Sequence, residues 1–402
     1  MKTMKSTAFG LFVLLTGLST SVFAQTNNTQ TINIVTTAVP FLRISPDARA
    51  GGMGDMAVAT EPDASSSFYN LGKVVFNPLP GGATLTYTPW LKKIVPDVYL
   101  ASGSGYYKID DVQAISASLR YFNLGSIPFT DFNGNPISTG QPREFGFDLG
   151  YSRRLSDKFG IGVGLKYIYS NLAAGATSPS GTYKAGNTLA ADLGMYYSGL
   201  SEAGQGWAFG LAFTNLGGKI SYTNNAQQKD YIPANMSLGA NYTKVIDESN
   251  KVSFGVEVNK LMVPTPPIFQ ANPDGDSAID ASNNDLANKY RDQSVVSSWI
   301  TSFSDAPGGF TEEMKEFQVS AGIEYTYNNQ FSLRTGYFYE DPTKGNRRYF
   351  TAGVGVKYNV FGLNFSYLVP TGSSNTVQNP LSNTLRFSLV FDFGGETANA
   401  AQ

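Results

Sequence analysis

The sequence predicts an all-β protein, a fourteen-stranded antiparallel transmembrane β-barrel with an N-terminal plug segment. Three observations predict it. From about residue 84 the chain repeats one unit, a stretch of about ten alternating residues followed by a turn. The links between these stretches alternate between short and long. Across stretches, large apolar residues share one face and ionisable ones the other, as the lipid and lumen sides of a barrel require.

The clearest strand is 159–169, where Phe159, Ile161, Val163, Leu165, Tyr167 and Tyr169 oppose Gly160, Gly162, Gly164 and Lys166. A soluble sandwich would solvate its second face with charge. A glycine face suits instead a crowded barrel interior or a close backbone approach. In 316–327, Val319, Ala321, Ile323 and Tyr325 oppose Gln318, Ser320, Gly322 and Glu324, and in 383–393, Leu385, Phe387, Leu389 and Phe391 oppose Arg386, Ser388 and Asp392. By this period of two strands fall at 84–91, 97–107, 113–123, 144–155, 159–169, 188–199, 206–216, 232–244, 251–261, 316–327, 330–339, 349–358, 362–368 and 383–393. The links at 109–112, 156–158, 200–205, 245–250, 328–329 and 359–361 are short. Those at 124–143, 170–187, 217–231, 262–315, 340–348 and 369–382 are longer, and only 92–96 departs from the alternation. Short turns on one side and long loops on the other match the periplasmic and extracellular ends of an outer-membrane barrel.

Residues 1–24 read as a signal peptide, with basic Lys2 and Lys5, an apolar run from Ala8 to Leu18 and a Val22-Phe23-Ala24 cleavage site. That run falls short of the roughly 20 residues of a membrane helix. Cysteine is absent, which excludes a lipoprotein. Removing the two signal lysines takes the formal charge from −2 to −4, so nothing points to nucleic acid as a partner. The chain has no His and no Cys. That removes a Ser-His-Asp triad, a cysteine nucleophile and the usual zinc sites, and it removes the side chain most used for acid–base work near neutral pH. No catalytic residue, cofactor or metal site is expected.

Residues 25–82 lack alternation. Three glycines fall within four residues at Gly51, Gly52 and Gly54, and Pro40, Pro46 and Pro62 break any long helix. A plug is expected here, carried by Arg43, Asp47, Arg49, the three glycines and Asp55. Gly51 to Asp55 lacks the strand–loop–helix context and lysine of a phosphate loop, so tight backbone turns are the better reading. Asn272, Asp274, Asp276 and Asp280 resemble a calcium loop only superficially, because the glycine sits at the wrong position; a solvated acidic loop is expected. The inward charges Arg120, Asp148, Lys166, Asp192, Glu257, Glu324, Arg334, Lys357 and Arg386 are of mixed sign, which favours pairing over a selective pore.

The stretch Phe41 to Phe76 resembles the start of the PorV family, outer-membrane proteins of the type IX secretion system of Bacteroidetes related in fold to the FadL fatty-acid transporters. The residues that carry the resemblance are Leu42-Arg43, Pro46 through Asp55, Ala59-Thr60, Pro62 to Ala64 and Tyr69-Asn70. The resemblance implies fourteen strands and a non-enzymatic role in the outer membrane. It implies binding of the C-terminal signal domain of secreted cargo at the translocon, and delivery to the surface attachment complex with its sortase. The barrel spans 83–393, with outer-membrane lipid around it, and a tail at 394–402 follows. Because the chain runs on past Phe393, the insertion signal is expected within 387–393.

Loop 262–315 is the candidate partner surface. It reads as helical from about Asp285 to Phe303, and Trp299, Phe303 and Phe310 are the candidate anchors, since aromatic residues dominate interface energetics. Packing of the same rings onto the barrel mouth is the competing reading. Two other functions compete. A FadL-like channel for hydrophobic solutes predicts an apolar pocket between plug and wall. A lipid-modifying hydrolase would need an unusual base.

Overall fold

The computed structural model describes residues 32–92, 95–130, 133–173, 177–178, 181–224, 229–371, 381 and 384–394. The expected signal peptide, the residues up to 31 and the tail from 395 lie outside them. Alternation dictates the fold. Fourteen strands form one closed antiparallel barrel: β1 Gly81–Pro89, β2 Tyr99–Lys108, β3 Gln113–Asn123, β4 Arg143–Arg154, β5 Phe159–Asn171, β6 Gly186–Ser198, β7 Gly206–Gly217, β8 Asn235–Val245, β9 Asn250–Leu261, β10 Gln318–Tyr327, β11 Phe331–Tyr339, β12 Arg348–Tyr358, β13 Phe361–Pro370 and β14 Thr384–Phe393. Each strand pairs with its sequence neighbours, and β1 closes on β14 from Gly81 opposite Phe393 to Tyr87 opposite Phe387. Every strand end lies within three residues of its expected place.

The ladder is continuous around the barrel, with one register shift between β6 and β7 beside Asp192. There Asn215 adopts the left-handed conformation (φ 59°) and donates its backbone N–H to Asp192 Oδ1 at 2.7 Å. The bulge aims a carboxylate into the lumen, a common use of such irregularities. Outward side chains such as Leu85, Leu165, Leu333 and Leu363 are exposed along the wall. Aromatic clusters mark both rims: Tyr99 lies 5.4 Å from Tyr87 and 6.3 Å from Tyr121 at the long-loop end, and Trp207 lies 5.0 Å from Tyr242 at the short-turn end.

Three features differ from expectation. The barrel starts at Gly81 rather than residue 83. Two short hairpins, Ile127–Thr130 with Pro136–Gly140 and Thr177–Ser178 with Gly181–Thr182, decorate long loops; they are too brief to register as a period of two. Helix in the longest loop begins earlier, as α2 Ser277–Asp292, and breaks before α3 Val295–Thr301, with a short α4 at Phe310–Glu313. The acidic run explains the early start: Asp276 caps α2 by accepting from Ala278 N. Asn272 bonds Asp280 at 2.7 Å.

Candidate functional site

The site comprises the segment inside the barrel and the loop over its long-loop end. Residues 33–80 run the height of the lumen. Asn33 N donates to Thr343 O at 3.1 Å, and Ala38 N to Tyr231 O at 2.9 Å, both in long loops. Phe41 and Leu42 then pack with Phe122 and Ile168 near the long-loop ends of their strands. Leu71, Val74 and Val75 pack with Tyr106 and Ala114 near the short turns, and Lys108 N donates to Pro80 O at 2.8 Å where β1 begins.

Irregular backbone in a buried setting must find partners outside itself, since each orphaned polar group costs about 1–3 kcal/mol. Barrel side chains supply them. Ser388 Oγ accepts from Ala48 N at 2.9 Å and Thr351 Oγ1 from Gly54 N at 2.9 Å. Glu257 Oε2 accepts from both Ala57 N and Val58 N, at 2.7 and 2.8 Å. Asp47 caps α1, Ala48–Gly51, by accepting from Arg49 N and Ala50 N, and takes the Tyr69 hydroxyl at 2.5 Å. Gly54 has φ +71°, and a Cβ there would lie 2.7 Å from Tyr337 O. Gly52 lies so close to β12 that its Cβ would sit 3.1 Å from Gly353 Cα. The glycines therefore serve a tight turn and close wall contact.

Most of the inward charges pair, while Arg120 and Glu257 bond backbone groups. Glu324 takes Arg49 through two bonds, at 3.0 and 2.8 Å, and also Arg334. Arg49 reaches Asp63 at 2.8 Å. Lys166 sits between Asp148 at 3.1 Å and Asp192 at 3.0 Å. Arg386 lies 3.3 Å from Asp55, whose other oxygen accepts from the Tyr349 hydroxyl at 2.5 Å. Arg120 donates to the carbonyls of Leu42 and Phe68, Lys357 pairs with Asp392, and Arg43 meets Glu340 at 3.4 Å. Two of the cavities in the lumen are larger than a single water. One of about 500 Å³ is lined by Arg49, Glu61, Lys251, Glu324 and Lys357 toward the short turns. A second of about 110 Å³, lined by Arg43, Tyr69, Arg120 and Lys166, lies toward the long loops. Charged side chains line both.

The longest loop is moored by charge. Lys260, fully buried at the end of β9, contacts Glu313 and Glu316, each at 2.7 Å. Lys344 contacts Glu312 and Glu316, at 2.5 and 2.9 Å. Thr265 donates to Asp305 and Glu316. This network is invisible in the sequence, because its members lie far apart in the chain and none forms a motif. Its electrostatics are mixed. Burial, with the neighbouring Glu316 and Glu313 carboxylates, pushes the Asp305 carboxyl above its ordinary value against the Thr265 bonds. Burial also opposes ionisation of Glu312, yet its bonds to Lys344 and to Gly308 N hold it below the ordinary value.

The same loop also exposes several large apolar side chains. Phe310 is 79% exposed, Ile300 75%, Val296 59% and Phe303 37%. Trp299 is half-buried. The three expected anchors therefore divide. Val296 and Ile300, which as aliphatic residues carry no interface signal in sequence, are more open than Trp299.

A closed barrel of fourteen antiparallel strands with a lipid-facing outer wall is an outer-membrane β-barrel. The model of the family described as type IX secretion system protein PorV matches residues 26–268, and the chain belongs to that family. In structure it is similar to the CymD monoaromatic hydrocarbon channel, with a TM-score of 0.51 and 10% identity over 87% of this chain and 98% of that one. It is similar also to a deletion mutant of the TodX monoaromatic hydrocarbon channel, with a TM-score of 0.50 and 13% identity over 86% and 97%. A FadL homologue of Pseudomonas aeruginosa aligns with a TM-score of 0.47 and 13% identity over 90% and 100%. Identities this low speak to the fold alone. No curated protein sequence matches the chain.

Proposed function

We propose that the protein is a cargo receptor of the type IX system. It binds the C-terminal signal domain of secreted proteins at the translocon and delivers them to the attachment complex with its sortase. The long loops face the cell exterior, residues 33–80 act as a plug, and the loop from 262 onward is the docking surface. The observation that carries this reading is the exposure of Val296, Ile300 and Phe310 on a loop that buried ion pairs hold in place. Large apolar side chains held open to solvent on a fixed support are the usual form of an interface anchor. A channel for hydrophobic solutes draws less support, since both lumen cavities are lined by charge and the strand ladder offers no lateral gap among the described residues.

The test is capture from detergent-solubilised outer membranes with tagged wild type and an Ile300→Asp, Phe310→Asp double variant. Wild type should recover secreted proteins bearing the signal domain, and the variant at least tenfold less. Equal capture by both would move the site off this loop. A folded wild type that captures no secreted protein would end the receptor reading.

A further inference from the structure

An apolar groove lies on the outside of the wall, and we propose that it binds one acyl chain of an outer-membrane lipid. Its volume is about 640 Å³. One register row through it runs Val356, Leu363, Leu389, Leu85, Gly103, Leu119, one residue from each of six adjacent strands across the β14–β1 closure. The next row toward the long loops carries Tyr87, Ala101 and Tyr121. On β2 the outward residues are small in both rows, which forms a trough between the larger side chains of β1 and β3.

The inner side of the same wall is fixed. Between those two outer rows lies the inward row Asn364, Ser388, Thr86, Ser102, and it is pinned to the plug. Ser388 Oγ takes Ala48 N at 2.9 Å and meets Thr86 Oγ1 at 2.6 Å, and Ser102 donates to Pro46 O at 2.5 Å. Gly52 lets the wall come to contact distance at Gly353, and a Cβ at Gly51 would lie 2.7 Å from Arg386 Nη1. These contacts hold the wall against the segment inside it, behind the outer face where Ala101 and Gly103 leave the trough.

The position selects the occupant. The trough sits on the lipid-facing surface, where burial from water gives no drive and dispersion contact decides. A chain lying in it meets carbon on three sides instead of one. The strands around the trough are each paired on both sides within a closed barrel, so a partner strand would find no edge, whereas an acyl chain has no polar group to satisfy. The Tyr87, Tyr99 and Tyr121 cluster closes the long-loop end at the depth where tyrosines meet headgroups, which places the headgroup in the outer leaflet.

The test is native mass spectrometry of the full-length barrel, purified from outer membranes in mild detergent and exchanged into fresh detergent. Wild type should retain one lipid per barrel. Ala101→Phe fills the trough and should lower retention at least tenfold. Ala117→Phe places the same ring on the outer face of β3 beyond the trough, and should retain lipid as wild type does. The heat-modifiable gel shift reports folding of each. Delipidated wild type is then offered dipalmitoyl phosphatidylethanolamine and lipid A separately. Adduct with either one supports the site, and the mass says which lipid supplies the chain. Absence of adduct from wild type, equal retention by Ala101→Phe, or a bound protein in place of lipid would overturn it.

Discussion

Residues 33–80 and the loop that follows β9 are both long stretches outside the barrel wall, yet they solve opposite problems. The first lies where its polar groups cannot reach bulk water, so barrel side chains meet them: Glu257 takes two backbone N–H groups and Glu324 holds Arg49. The second lies over the mouth, where water serves its polar groups, and it leaves Val296, Ile300 and Phe310 open. The contrast teaches where stability and recognition reside. Buried irregular backbone is held by specific pairing and tolerates little change, while an exposed loop moored at its base can carry a surface free of structural duty.

The comparison breaks most readily at Glu324. Glu324→Ala strips the shared carboxylate from Arg49 and Arg334 inside the lumen, and losing one partner of a buried ion pair costs about 3–5 kcal/mol. The urea midpoint of the heat-modifiable folded band should fall accordingly; a shift worth under about 1 kcal/mol would mean that the segment is not held to the wall by charge.

A second test sharpens the contrast through pH. Asp305 has a raised folded pKa, so it contributes stability at acid pH that is lost as pH rises through that raised value. Glu312 has a depressed folded pKa, so its contribution is present above the ordinary glutamate value of about 4.3 and lost as pH falls through the folded one. Hydrogen-exchange protection around Thr265 should therefore peak between the two and decline on both sides. Protection that rises steadily with pH would show that Asp305 is not at the mooring.

The smallest effect is expected at the outer surface. Ile300→Ser should leave the unfolding midpoint within about 0.5 kcal/mol of wild type, measured as for Glu324→Ala. A loss approaching that of Glu324→Ala would mean that Ile300 packs in the folded protein, and would erase the distinction between the two regions.

Much of the fold is legible in the chain itself. A period of two over fourteen stretches, with alternate short links, determines a closed barrel, because lipid forbids an unpaired edge and water-filled ends tolerate loops. The glycine face of 159–169 implies close approach, and Leu71 and Phe76 indeed crowd Gly160 and Gly162. Mixed inward charge implies pairing. Tertiary structure alone decided which charges meet, since Arg49 and Glu324 are 275 residues apart and no local pattern links them. It alone set the mooring of Lys260 and Lys344 on the glutamates at 312, 313 and 316, and it alone separated exposed Phe310 from half-buried Trp299. It also brought the small outward residues Ala101 and Gly103 between the larger side chains of β1 and β3. Periodicity is a local property and survives in sequence; pairing across a lumen is set by closure, and appears only when the last strand meets the first.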